Sequence, residues 1–74
     1  MRNRIAIAHF PSPVSALRVR LSLISQGGTA TAFPEEHGND ESCRLRVVLS
    51  PKLERRLLDL LLGSDALRVD VHDA

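Results

Sequence analysis

Cys43-Arg44-Leu45-Arg46-Val47-Val48-Leu49-Ser50-Pro51 opens the stretch whose reading decides the fold. Cys43, Leu45, Val47 and Leu49 share one face of a strand, and Arg44 and Arg46 point the other way. Ser50-Pro51 then changes the period. A serine hydroxyl can accept from an orphaned N–H at a helix start, and proline loses nothing in the first turn. Leu53, Leu57, Leu60 and Leu61 follow on one side of a 3.6-residue period. Gly63 stands where a left-handed residue would end that helix. After Ser64-Asp65 the period returns to two, with Leu67, Val69 and Val71 inward and Arg68, Asp70 and His72 outward. A leucine-faced helix between two half-apolar strands must cover their apolar faces to hide its own.

Working back towards the N-terminus, Arg4-Ile5-Ala6-Ile7-Ala8-His9-Phe10 reads as a first strand with Ile5 and Ile7 inside. Pro11-Ser12-Pro13 ends it, because proline cannot donate to a ladder. Ser12-Pro13 repeats the start signal of Ser50-Pro51 and introduces residues 13 to about 26. Val14, Leu17, Leu21 and Ile24 fit a helical stripe, yet Leu17, Val19, Leu21 and Leu23 also alternate as a strand would. The start signal, the length and the Gly27-Gly28 stop favour helix. Val14, Leu17, Leu21 and Ile24 then form its core stripe, and Val19 and Leu23 lie on the opposite side, available to another chain. Thr29-Ala30-Thr31-Ala32-Phe33 reads as a short strand, and 34–42 as a polar, solvated loop.

The order β-α-β-β-α-β is the ferredoxin-like α+β arrangement, a four-stranded antiparallel sheet with two helices on one face. The first and third strands take its centre and the second and fourth its edges. The edge strand Thr29–Phe33 carries no charge and no internal proline, so it invites pairing with another strand. A homodimer joined through Thr29, Ala30, Thr31, Ala32 and Phe33, backed by Val19 and Leu23, is the expected assembly. On the open face the strand parity sets Arg4, Arg44, Arg46 and Arg68 around Ala6 and Ala8, with Phe10 only at the rim. A sheet that reads RNA stacks bases on central aromatics, which are missing here, so nucleic acid is disfavoured as a partner.

Seventy-four residues make one small domain, 1–74, with a core of modest size that oligomerisation would reinforce. A formal net charge of +1 gives no pull towards nucleic acid or anionic membrane. One cysteine rules out an internal disulfide and any CxxC metal pair, and points to a reducing compartment. Ile5 to Ala8 is too short for a signal core, and no run approaches the ~20 apolar residues of a membrane span. The expectation is a soluble, cytoplasmic protein. No nucleophile, zinc or phosphate-loop motif is present, and His9, His37 and His72 come from distant parts of the chain. We therefore expect no catalytic residue, no metal and no cofactor.

The βαββαβ order, the Gly27-Gly28 turn and Val48-Leu49-Ser50-Pro51 entering the second helix resemble an ACT domain, the small regulatory module of amino-acid metabolism. More narrowly, the chain resembles the short small subunits of acetolactate synthase, over Arg4 to Val71. The resemblance implies a non-catalytic regulatory subunit of branched-chain amino-acid biosynthesis that dimerises and binds a larger catalytic subunit. It also implies a small amino-acid effector near Phe10, Ser12, Val14, Gly27 and Gly28. The family's effector glycine lies in the first loop, and Phe10-Pro11-Ser12-Pro13-Val14 has none. That departure suits a subunit that supports its partner without feedback inhibition. The alternative is a stand-alone amino-acid sensor.

Overall fold

The apolar faces of the strands decide how every other element is turned. The computed structural model describes residues 3–34 and 43–73, without the side chains of Phe33 and Pro34; the acidic loop 35–42 and His37 lie outside the described residues. In chain order the elements are β1 (Arg4–Phe10), α1 (Pro13–Ser25), β2 (Thr29–Pro34), β3 (Cys43–Leu49), α2 (Glu54–Leu62) and β4 (Arg68–Asp73). The four strands form one sheet in the order β2-β3-β1-β4, antiparallel throughout, so β2 and β4 are its edges. This is the anticipated ferredoxin-like sandwich, and residues 16–24 are helical.

Strand β3 sets the inner face, with Cys43, Leu45, Val47 and Leu49 all buried. Opposite them β1 places Phe10, Ala8 and Ala6, because Ala6 pairs with Val47, Ala8 with Leu45 and Phe10 with Cys43. The expectation that Ile5 and Ile7 point inward is thus reversed. The choice lay between two sets of alternate residues. Burying Ile5 and Ile7 would also bury the His9 imidazole and leave Phe10 in water. The observed set buries the ring, and its alanines let the helices approach the sheet closely.

Helix α1 is turned the opposite way from the sequence expectation. Its buried residues are Ala16, Val19 and Leu23, whereas Val14, Leu17, Leu21 and Ile24 are exposed. At about 100° per residue, seating the second set would press both Arg18 and Arg20 against the sheet flanks. The observed rotation leaves Arg18 outside and Arg20 at the sheet margin, where its Nε donates to the Ala30 carbonyl at 2.9 Å. Ser12 caps α1 as anticipated: its hydroxyl accepts from the Ser15 N–H at 3.2 Å, with Pro13 in the first turn. Ser12→Ala should cost about 1 kcal/mol. A thermal melt should read this as a fall of about 4–8 °C in Tm.

The second start signal works differently. Ser50 accepts through its backbone carbonyl from the N–H groups of Leu53 and Glu54, and α2 begins only at Glu54. Leu57 and Leu61 are wholly buried, and Leu53, Leu58 and Leu60 pack around them. Gly63 ends α2 with a negative φ of -87°, not the left-handed conformation. That conformation occurs at Gly27, whose φ is 90°. In β4, Val69 and Val71 pack against the core, but Leu67 is exposed and enters the ladder through its N–H to the His9 carbonyl.

Candidate interaction surfaces

The two halves of the anticipated effector site lie at opposite ends of α1. Phe10 is buried in the core, Ser12 is the helix cap and Val14 is exposed at the start of the helix. Gly27 and Gly28 follow its other end, 13 residues on, or roughly 20 Å along the axis. Gly27 supplies the left-handed turn. A side chain on Gly28 would begin 3.0 Å from the Leu23 carbonyl and 3.1 Å from Leu57 Cδ2, so this glycine marks a close backbone–helix contact. Within one chain the loop and the glycines do not meet; joining them would take a second copy.

The open face of the sheet is the first surface of note. The register places Ile5, Ile7 and His9 of β1 there, beside Arg44, Arg46 and Val48 of β3 and Arg68, Asp70 and His72 of β4. Arg4, Ala6 and Ala8 belong to the helix side instead. Arg4 there meets Glu54 at 3.2 Å and Asp73 at 3.5 Å. Ile5, Ile7 and Val48, half-buried, form an aliphatic patch towards the start of β1 and the end of β3. Arg46 lies beside Ile7 in mid-sheet, and Arg44 and Arg68 flank His9 beyond it. Asp70 is the face's one carboxylate among the described residues, and it sits 2.9 Å from Arg68 Nε and 3.7 Å from His9 Nε2. The aliphatic patch offers no ring for a base to stack on.

The second surface runs along α1 above the β2 edge. Val19 and Leu23, expected to back a dimer interface, are core residues with 8% and 0% exposure and cannot reach another chain. The residues outside are the four that were expected inside. Arg20 reaches the β2 backbone from the margin between the two stripes, so the exposed stripe leans towards that edge. On β2 itself Thr29, Thr31 and Ala32 are exposed and Ala30 is buried; the Phe33 side chain lies outside the described residues. The spacing 14, 17, 21, 24 was visible in the sequence. Only the tertiary structure shows that it faces solvent.

A shallow open depression on α2 is lined by Lys52, Arg55, Arg56 and Asp59. Among the described residues no three of His, Cys, Asp or Glu come together as metal ligands, and no helix is long and apolar enough to cross a membrane.

No protein-family model and no curated protein matches this chain. Solved structures do share its architecture. LarC2, the C-terminal domain of a cyclometallase involved in the synthesis of the NPN cofactor of lactate racemase, in its apo form, is 15% identical with a TM-score of 0.79. That superposition covers 100% of this chain and 55% of the other, so the chain spans about half of LarC2's length. A PII-like signalling protein from Thermus thermophilus is 15% identical with a TM-score of 0.64, over 99% of this chain and 87% of that one. At this identity the likeness is one of fold: the chain is a ferredoxin-like α+β domain.

Proposed function

We propose that the chain is a non-catalytic regulatory subunit that dimerises and docks on a larger catalytic chain, the thiamine-diphosphate-dependent subunit of acetolactate synthase. The observation that carries the reading is the open sheet face. An aliphatic patch of Ile5, Ile7 and Val48 bordered by Arg44, Arg46, Arg68 and Asp70 on its flank sets apolar surface beside polar surface, as protein interfaces do. Three arginines to one aspartate favour a partner surface with an acidic rim. The ACT-like sequence features support the choice of acetolactate synthase. The fold shared with a PII-like signalling protein supports a regulatory role by analogy.

Co-expression with the catalytic subunit of the same organism tests the proposal. The two chains should co-elute, and acetolactate formation should rise over the catalytic chain alone. Ile7→Glu should abolish both effects with little change in melting, because Ile7 lies on the open face and not in the core. Catalytic subunit that elutes alone with unchanged activity overturns the reading.

A further inference from the structure

A strand edge accepts another strand only where its outward backbone groups are free. In an antiparallel ladder each residue turns its N–H and C=O together, towards one neighbouring strand or the other. The His9 carbonyl accepts from the Leu67 N–H at 2.7 Å, so Ile5, Ile7 and His9 bond towards β4, and Ala6, Ala8 and Phe10 towards β3. The alternation carries across the sheet. Cys43, Leu45 and Val47 bond back to β1, which leaves Arg44, Arg46 and Val48 to bond β2. Their partners there are Thr29, Thr31 and Phe33, so Ala30, Ala32 and Pro34 turn their backbone groups outward. The hydrogen bond from Arg20 of α1 to the Ala30 carbonyl agrees, because a carbonyl aimed at β3 would be taken by the ladder.

We infer that Arg20 holds the β2 edge closed against a further strand. Just before the strand, the Gly28 N–H is already bonded to the Leu23 carbonyl at 2.9 Å. At its end Pro34 has no N–H to give. An added strand is left with Ala30 and Ala32, and Arg20 Nε occupies the Ala30 carbonyl at 2.9 Å. The guanidinium lies where the N–H of the added strand would have to come. Arg20 is half-buried, and among the described residues no carboxylate pairs with it, so this carbonyl is its polar partner. Thr29, Thr31 and Ala32 are exposed but uncharged and repel nothing, so the closure falls to this one side chain. A hydrogen bond from a charged donor shifts an equilibrium roughly 10- to 100-fold, and two β2 edges that meet must each give one up. The pairing of two β2 strands expected from the residues alone is therefore blocked while Arg20 is in place. The inference goes beyond the regulatory reading: a dimer of that kind joins through another surface, and docking on the open sheet face is untouched.

Disulfide trapping in the full chain at micromolar concentration reads the state of the edge. Two β2 strands joined through Ala30 and Ala32 would bring Thr31 opposite Thr31 of the second copy, in a narrow pair with Cα atoms about 4.5 Å apart and within reach of a disulfide. Leu62→Cys, an exposed thiol away from any strand, gives the rate of chance collision. With Arg20 in place, Thr31→Cys should link to its copy no faster than Leu62→Cys under mild oxidation. Arg20→Met keeps the aliphatic stem and removes the donor. The Thr31→Cys/Arg20→Met chain should form the 31-to-31 link, identified by peptide mapping, at least about 100-fold faster, tenfold for each copy, with a circular dichroism spectrum like the parent's. A Thr31→Cys chain that links well above the collision rate with Arg20 present overturns the inference, and so does a folded Arg20→Met chain that links no faster than its parent. If Arg20→Met fails to fold, the comparison of Thr31→Cys with Leu62→Cys decides alone. None of these outcomes involves acetolactate synthase, so a failure of catalytic docking is seen independently.

Discussion

Leu57→Ala is expected to leave the chain unfolded, or melting without cooperativity, in far-ultraviolet circular dichroism. Leu57 has no exposed surface and sits in the middle of the nine-residue α2, on the face against the sheet. Its methyl carbons lie 3.1 and 3.2 Å from where a Gly28 side chain would begin, so it closes the junction between α2 and the end of α1. Removing its isobutyl tip leaves a cavity that no neighbour can fill without breaking that junction. Such truncations cost about 2–5 kcal/mol. A domain holding roughly 0.05–0.15 kcal/mol per residue has about 4–11 kcal/mol in total at this length, so the truncation removes a large share of it. Leu62 is the control: it is largely exposed one position beyond Leu61, and Leu62→Ala should stay within about 0.5 kcal/mol of the parent. A Leu57→Ala chain that melts like the Leu62→Ala chain would mean that α2 packs on another face.

Where a segment offered one apolar face, its orientation could be read directly from the residues. Strand β3 alternates with no competing set, and the structure seats Cys43, Leu45, Val47 and Leu49 inside as the pattern requires. Helix α2 was nearly as clear, apart from a later start. Where a segment offered two faces, counting apolar bulk chose the wrong one. In β1 the isoleucines outweigh the alanines, yet Phe10 and the closeness of the helices settle the matter for Ala6 and Ala8. In α1 the bulkier stripe lost to Ala16, Val19 and Leu23 because the helix must also place Arg20 where a backbone acceptor waits. Neither contest is local, so neither could be decided from spacing. Both reversals change the function argument. The open sheet face gains Ile5 and Ile7 at its centre, and the helix surface gains four aliphatics in place of two. The glycines at 27 and 28 carried a different ambiguity: the residue type marks either a ligand's approach or a close packing contact. Here Gly27 makes a left-handed turn and Gly28 makes room for Leu57.

The rotation of α1 leads to a sharp contrast between two substitutions only two residues apart. Val19→Glu should unfold the chain at neutral pH, whereas Leu21→Glu should leave it folded. Val19 is 8% exposed and packs with Ala16 and Leu23 over the sheet. A carboxylate there must either ionise among aliphatic side chains or take up a proton at neutral pH, and either course costs several kcal/mol. Among the described residues of α1 the available cations are Arg18, on the solvent side, and Arg20, already donating to the Ala30 carbonyl. Rotating the helix to free the glutamate would drag Ala16 and Leu23 out of the core with it. Leu21 is 58% exposed, so a glutamate there keeps its hydration, and the substitution removes only apolar surface that faces outward. Chemical denaturation of the two variants side by side distinguishes them. If Val19→Glu folds normally and Leu21→Glu does not, α1 is seated on the Val14, Leu17, Leu21 and Ile24 stripe. If both variants fold, the core does not depend on α1, and the sheet must be covered by some other segment.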